Sequence, residues 1–256
     1  MHVHDVLVVG AGPAGAAVAA RLHQQGVRDV LVLDRYTFPR EKPCGGGLTG
    51  HADEALAALD LVLDVPRVAS TEARVRFGGF HRTVTMARPV NVIRREEFDA
   101  SLVAQVRKKG VEIVEGEGVE GIIVRDDRVE VTTGSRTLAA RVVVGADGAA
   151  SVVRKHLTGN AKALPHRLFK AELTIPAGGW DGRTMLYDFT PVLHGVRGYL
   201  WVFPVAGGRV NVGIMHYPAF RVGGPALIEA LGRGLRDVGI ELPAKAAHGW
   251  PVWGYQ

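Results

Sequence analysis

Hydrophobic positions along this chain recur in a few distinct rhythms. Val6, Leu7, Val8 and Val9 form an unbroken apolar run, the pattern of a parallel strand buried on both faces. Residues 16–25 are rich in small side chains and read as a helix, and 30–33 return as a second apolar strand. Residues 51–61 place Ala and Leu at helical spacing. Residues 74–77 and 80–86 alternate apolar and polar around Gly78-Gly79, which predicts a hairpin. Residues 96–109 predict an amphipathic helix with Phe98, Leu102, Val103 and Val106 on one face, and 111–114 a further parallel strand.

Three short strands follow, at 119–125, 128–133 and 137–140, with turns at Asp126-Asp127 and Gly134-Ser135. Residues 142–144 read as another buried strand, ending in Gly145-Ala146-Asp147-Gly148, with a helix from Ala149. Beyond Gly159 the pattern changes. Residues 168–175, 184–189, 198–205 and 209–216 read as strands of a second, antiparallel sheet. Residues 225–238 form one amphipathic helix, and 244–256 are aromatic and irregular. The expected organisation is a discontinuous α/β domain, 1–60 and 90–160, and a substrate domain, 61–89 and 161–256.

The first strand runs directly into Gly10-Ala11-Gly12-Pro13-Ala14-Gly15. In this spacing Gly10 allows the tight turn, Gly12 lets a pyrophosphate approach the backbone, and Gly15 lets helix pack on strand. The helix N-terminus offers free N–H groups to phosphate. Asp34 closes the second strand, close to the position at which a carboxylate beyond such a glycine turn meets an adenosine ribose. An acid there suits a free 2′-hydroxyl and repels a 2′-phosphate, so NAD or FAD fits and NADP does not. The bland alternative is a tight strand-to-helix turn in some other α/β protein. A parallel βαβ unit interrupted by a three-stranded meander resembles the FAD domain of glutathione-reductase-type flavoproteins, which favours FAD.

Composition narrows the field. The 256 residues are 47% hydrophobic, enough for a sizeable core, and the net charge is +5. The basic residues are scattered and form no stripe, so no nucleic-acid partner is expected; attraction to an anionic membrane surface stays open. Cys44 is the single cysteine, which excludes an internal disulfide. The ten His show no His-Glu-x-x-His motif, and no metal is expected. No Walker loop and no Gly-x-Ser-x-Gly elbow is present, which argues against Ser151 as a nucleophile. No window is apolar enough to span a bilayer and no basic n-region opens the chain, so a cytoplasmic protein is expected, with peripheral membrane contact left open.

Several motifs together resemble the geranylgeranyl reductase family of para-hydroxybenzoate hydroxylase-like flavoproteins. The opening glycine loop matches the family's first FAD motif. Phe38-Pro39-Arg40-Glu41-Lys42-Pro43-Cys44-Gly45-Gly46-Gly47 is similar to its Cys-Gly-Gly loop beside the flavin. Arg95 with Phe98-Asp99 is similar to its Arg-led helix start. Asp147-Gly148, within 145–154, is similar to the Asp-Gly motif of flavin monooxygenases. Tyr199-x-Trp201-x-Phe203-Pro204 resembles the aromatic signature lining a prenyl cavity.

The resemblance implies cofactor contacts from Gly10, Gly12, Pro13, Ala14, Gly15, Asp34, Arg35, Cys44, Gly45, Gly46, Arg95, Asp147 and Gly148. It implies substrate contacts from Tyr199, Trp201, Phe203 and Pro204, with Leu186 and Tyr187 as further walls. Cys44 and Tyr199 are candidate catalytic groups. The implied activity is FAD-dependent reduction of carbon–carbon double bonds in isoprenoid chains during lipid biosynthesis, with NADPH or NADH as candidate donor. Flavin hydroxylation or halogenation on the same scaffold is the alternative. Each residue also has a plain reading: Cys44 as inert packing, the aromatics as core, Asp147 as a helix cap, and the glycine loop as a mobile linker. The signature ends Gly213-Ile214-Met215 where the family has Gly-x-Gly. No Gly-Asp dipeptide occurs, so the family's second FAD motif is missing and the chain reads as a shortened version, or a cofactor-poor fragment, of a longer enzyme.

Overall fold

The computed structural model describes residues 1–159, 166–176, 178–217, 222–244 and 248–252, the last five as backbone. In chain order the elements are β1 (Val3–Val9), α1 (Pro13–Gln24), β2 (Val30–Asp34), β3 (Gly47–Leu48), α2 (Gly50–Ala57), β4 (Arg67–Phe77) and β5 (Phe80–Ile93). Then come α3 (Arg95–Lys108), β6 (Glu112–Glu115), β7 (Val119–Val124), β8 (Val129–Thr133), β9 (Thr137–Gly145) and α4 (Val152–Thr158). The last are β10 (His166–Thr174), β11 (Thr184–Asp188), β12 (Gly198–Val205), β13 (Arg209–His216), α5 (Gly224–Arg236) and β14 (His248–Val252).

The chain divides into two compact units. The first comprises Met1–Glu41, Glu54–Asp64 and Glu96–Lys162. Its sheet runs β6-β2-β1-β9-β8-β7. β1 pairs in parallel with β2 and β9, and β2 with β6, whereas β7, β8 and β9 form an antiparallel meander. The expected third meander strand and the apolar strand after it are one continuous element. β9 hydrogen-bonds antiparallel to β8 over residues 137–140 and parallel to β1 over residues 139–145. The apolar run in β9 is also less buried than expected, with Val142 52% exposed. Leu7, Val9, Leu31, Leu33, Val131 and Ala140 pack together on one face. Ala16, Ala19 and Ala20 of α1 are buried, as the small-residue pattern requires.

The second unit comprises Lys42–Asp53, Val65–Arg95 and Ala163–Gln256. Its eight strands run β14-β10-β13-β12-β11-β4-β5-β3. This sheet is mixed, because β4 and β11 pair in parallel amid otherwise antiparallel neighbours. The hairpin strands are longer than the alternation suggested, and the glycine-rich loop carries a two-residue strand, Gly47 pairing with Val92. Part of 244–256 is likewise a strand, β14 beside β10, while 245–247 and 253–256 lie outside the described residues.

Alternation along β12 explains the two faces of this sheet. Leu200 and Val202 join Val212, Ile214 and Leu186 under Leu227, Leu231 and Leu235 of α5. Each such fully buried side chain contributes about 1.5–3 kcal/mol. Trp201, Phe203 and Val205 face the other way, with Val92, Leu168 and Met185.

Candidate functional site

The first cluster of candidate residues sits where β1 ends. Gly10 has φ +101° and lies so close to the turn after β9 that a β-carbon would overlap Ala146 O and stand 2.9 Å from Asp147 Cα. Only glycine satisfies both demands. A β-carbon on Gly15 would overlap the Gly10 carbonyl, which is how α1 packs tightly on the turn. Pro13 occupies the first turn of α1, no acid is present there, and no side chain caps it. The start of α1 therefore carries no acidic or capping side chain of its own on its N–H groups.

Asp34 is brought to the same turn. Its Oδ2 accepts from Ala11 N at 2.8 Å and its Oδ1 from Tyr36 N at 2.9 Å. The carboxylate is 6% exposed, so it braces the glycine turn as well as marking the end of β2. Each oxygen keeps a second lone pair. Arg35 stacks on Tyr36 at 4.8 Å.

Arg40 was not singled out by its sequence position, yet it is the cation nearest the glycine turn among the described contacts. Its Nη2 lies 3.4 Å from where a Gly12 β-carbon would stand and 3.3 Å from Oδ2 of fully buried Asp99. Its guanidinium lies 4.9 Å from the Phe38 ring centroid and 5.7 Å from that of Tyr36. The buried Nε has no hydrogen-bond acceptor. An orphaned donor beside an uncapped helix end has the chemistry of an anion contact. The available signal was the pairing of Arg40 in the loop with Asp99 at the start of α3, a helix far along the chain, which nothing local reveals.

Asp147 is turned toward α4. It accepts from Ser151 Oγ, from Val152 N at 2.6 Å and from Val153 N at 3.4 Å. Ser151 Oγ in turn accepts from Arg154 N at 2.9 Å. The helix thus begins at Val152, not Ala149, after a single 3₁₀ turn at Gly148–Ala150. The capping reading describes the Asp147 side chain, and its backbone lies against Gly10.

The second cluster belongs to the other unit. Gly46, at φ +83°, accepts from Ile93 N at 3.0 Å, and a β-carbon on it would overlap Ile93 O. This locks the Cys44–Gly46 loop to the end of β5, just before Arg95, which opens α3. Cys44 Sγ accepts from Gly46 N at 3.4 Å, and the Cys44 side chain is partly exposed. Asn211 ties the loop to the aromatic strand. Its Nδ2 donates to Cys44 O at 2.8 Å, and its Oδ1 accepts from Trp201 Nε1 at 3.0 Å. A β-carbon on Gly45 would lie 2.7 Å from the Phe203 ring, and one on Gly213 would overlap the Trp201 indole. Cys44 and Trp201 are therefore brought together, through Asn211, a residue the sequence reading passed over.

Tyr187, Phe203, Tyr199, Phe189 and Trp201 form a chain of rings with centroid separations from 5.0 to 6.4 Å. Trp201 and Phe203 are buried, at 3% and 6% exposure, whereas Tyr187 and Tyr199 are half-buried and offer the accessible surface. Pro204 and Leu186 are not part of this face. Leu186 packs under α5, and Pro204, one step along β12 from Phe203 and paired with Val210, points the same way. Burial pushes the hydroxyls of Tyr187 and Tyr199 above the ordinary tyrosine value, Tyr199 also feeling Tyr217 and Cys44. Both hydroxyls thus stay protonated through neutral pH. Among the described residues one group has metal-ligand character: His2 and His4 flank Asp29, with bonds of 2.8 and 2.7 Å that already satisfy the carboxylate.

Comparison with known proteins places this geometry. A menaquinone reductase of Mycolicibacterium smegmatis is 31% identical over 82% of this chain and 54% of its own length. A geranylgeranyl diphosphate reductase of Rhodobacter capsulatus is 30% identical over 82% of this chain and 54% of its own. The chain spans about half the length of these relatives. A crystal structure of a geranylgeranyl bacteriochlorophyll reductase-like protein from Thermoplasma acidophilum superposes with a TM-score of 0.76 at 20% identity, over 99% of this chain and 66% of that one, a likeness of fold. The FAD binding domain profile matches residues 3–172, so the chain belongs to the FAD-binding domain family.

Proposed function

We propose that this chain is the cofactor- and substrate-holding part of an FAD-dependent oxidoreductase that saturates carbon–carbon double bonds in isoprenoid chains. The observation that carries the reading is the Cys44–Gly46 loop, pinned by Asn211 and by the Gly45–Phe203 contact against an apolar aromatic strand face. Relatives named for menaquinone and geranylgeranyl diphosphate support the substrate class.

The residues fit FAD. The uncapped start of α1 and the orphaned Arg40 Nε suit a pyrophosphate, and Asp34 suits a ribose with a free 2′-hydroxyl. When bound, FAD supplies a hydride, taken beforehand from a donor such as NADPH or NADH. The chain's own residues do the remainder. Gly45, half-buried beside Phe203, offers backbone free of a side chain. Tyr187, Tyr199 and Phe189 offer apolar surface to a prenyl chain and exclude water. The Tyr199 hydroxyl, kept protonated by burial, is positioned as proton donor to the alkene carbon that does not receive hydride. A substrate of this kind is drawn from a membrane, so peripheral contact belongs to the same reading.

Anaerobic incubation of purified, FAD-loaded protein with a geranylgeranyl substrate and NADPH tests it. Mass spectrometry should show the gain of two hydrogens per reduced bond. Protein that gains no flavin absorbance on adding FAD would contradict the reading, and oxygen-dependent substrate hydroxylation without alkene reduction would favour the monooxygenase alternative.

A further inference from the structure

The tip of the β4–β5 hairpin has the wrong chemistry for a solvent loop. Turns of this kind are normally polar, yet Phe77 and Phe80 flank Gly78-Gly79 here, and Phe80 is 61% exposed. Leu193, 57% exposed, and Val192 lie on the short 3₁₀ helix Thr190–His194 beside it. The two elements are joined. Gly78 N donates to Thr190 Oγ1 at 3.1 Å, Phe189 N donates to Arg76 O at 2.8 Å, and a β-carbon on Gly78 would meet Leu193 Cδ1 at 3.4 Å. Four exposed apolar side chains, Phe77, Phe80, Val192 and Leu193, thus lie on two elements joined at the hairpin tip.

Cations outnumber acids beside this patch: Arg74, Arg76, His81 and Arg82 lie within a few residues of the turn on the two hairpin strands, against Asp188 and Asp237 next to Arg76. Behind the tip, on the α5 side of the sheet, a cavity of about 560 Å³ is lined by Arg74, Arg76, His81, Thr83, Trp180 and Asp237. Arg76 is held by buried Asp188 at 3.6 Å and Asp237 at 3.7 Å, while Arg74 contacts Thr83 Oγ1 at 3.4 Å. Trp180 donates its indole N–H to Thr184 O at 3.0 Å, leaving its ring on the cavity wall.

We propose that this hairpin docks the protein onto an anionic lipid bilayer, with Phe77, Phe80, Val192 and Leu193 entering the acyl boundary and Arg74 and His81 meeting lipid phosphate. An apolar tip ringed by cations and backed by an aromatic matches a bilayer interface, where apolar insertion and attraction to anionic headgroups add. Four side chains are far too few for a stable protein partner, which needs roughly 20–30 residues a side. No helix among the described residues is long and apolar enough to cross a membrane, and the contact proposed is an interfacial one. The inference rests on the isoprenoid-lipid reading in purpose only, because vesicle binding requires no flavin and the two can fail separately.

The test is co-sedimentation of the chain, without added FAD, with phosphatidylcholine vesicles and with vesicles containing phosphatidylglycerol. Binding is expected to the anionic vesicles and to weaken with salt. Phe77→Ser with Phe80→Ser should lower partitioning on the order of 10-fold or more. Arg74→Gln and Arg82→Gln should each lower it about 5-fold. Circular dichroism verifies that each variant is folded, and a second tip variant, Leu193→Ser, replaces any that is not. Absence of binding to anionic vesicles, equal binding to neutral ones, or binding indifferent to the tip substitutions overturns the proposal. So does a vesicle-free dimer that the tip substitutions dissolve, which would assign the patch to a second copy.

Discussion

Asn211→Ala is the sharpest probe of how the glycine loop is held. Asn211 is 4% exposed and serves two partners at once, the buried Trp201 indole N–H and the part-buried Cys44 carbonyl. Truncation removes two hydrogen bonds worth about 1 kcal/mol each and leaves the indole N–H unsatisfied within 3% exposed Trp201, at about 1–3 kcal/mol more. The expected destabilisation of the second unit is therefore about 3–5 kcal/mol. Removing both partners of a buried hydrogen bond costs less than removing one. Adding Trp201→Phe should thus recover part of the loss, giving a coupling of about 1 kcal/mol or more in a double-mutant cycle. Urea unfolding, fitted without assuming one transition for two units, measures the stability. Hydrogen exchange over residues 42–53 should show the loop loosening in the single variant. A loss smaller than a single ordinary hydrogen bond is worth, or strictly additive single effects, would refute the idea that Asn211 couples loop to strand.

Three further outcomes follow from the geometry. Gly45→Ala places a methyl 2.7 Å from the Phe203 ring; it should cost about 1–3 kcal/mol, and Phe203→Leu should relieve it, as thermal denaturation of the single and double variants will show. Arg40→Ala should weaken FAD binding about 10- to 100-fold in a flavin fluorescence titration, the value of a charged hydrogen bond; unchanged affinity would remove Arg40 from the diphosphate cradle. Glu117 is held down to about 2 chiefly by its hydrogen bond with the Arg136 guanidinium, helped by Thr133 and Ser135. Its stabilisation is present above the ordinary glutamate value near 4.5 and is lost as pH falls toward 2. Because Arg136 is 47% exposed, Glu117→Gln should cost only about 0.5–1 kcal/mol at pH 7. That difference should vanish by pH 2 in acid-unfolding curves.

The parts of the fold legible in the sequence were those fixed by neighbours along the chain. The apolar run of β1, the glycine spacing after it, the acid ending β2 and the amphipathic pattern of α5 are short-range features, and each produced the expected element. Where two distant segments compete for one strand, local pattern failed. Residues 137–145 looked like two strands because 137–140 pair with β8 while 139–145 pair with β1. The parallel β4–β11 pairing, and the strand hidden in a triple glycine at Gly47, depend on partners distant in the sequence.

The same division runs through the site. Sequence alone determined the groups available: a glycine turn after β1, a carboxylate closing β2, a glycine-rich loop around Cys44, and an aromatic strand. Only tertiary structure decided which of these meet. It brought Arg40 to Gly12, made Asp147 a helix cap, turned Leu186 under α5 and Pro204 away from the aromatic face, and chose Asn211 to join Cys44 to Trp201. The physical reason is that backbone conformation and alternation are local, whereas a buried polar group must find its partner wherever folding delivers one, and that partner carries no mark in the residues beside it.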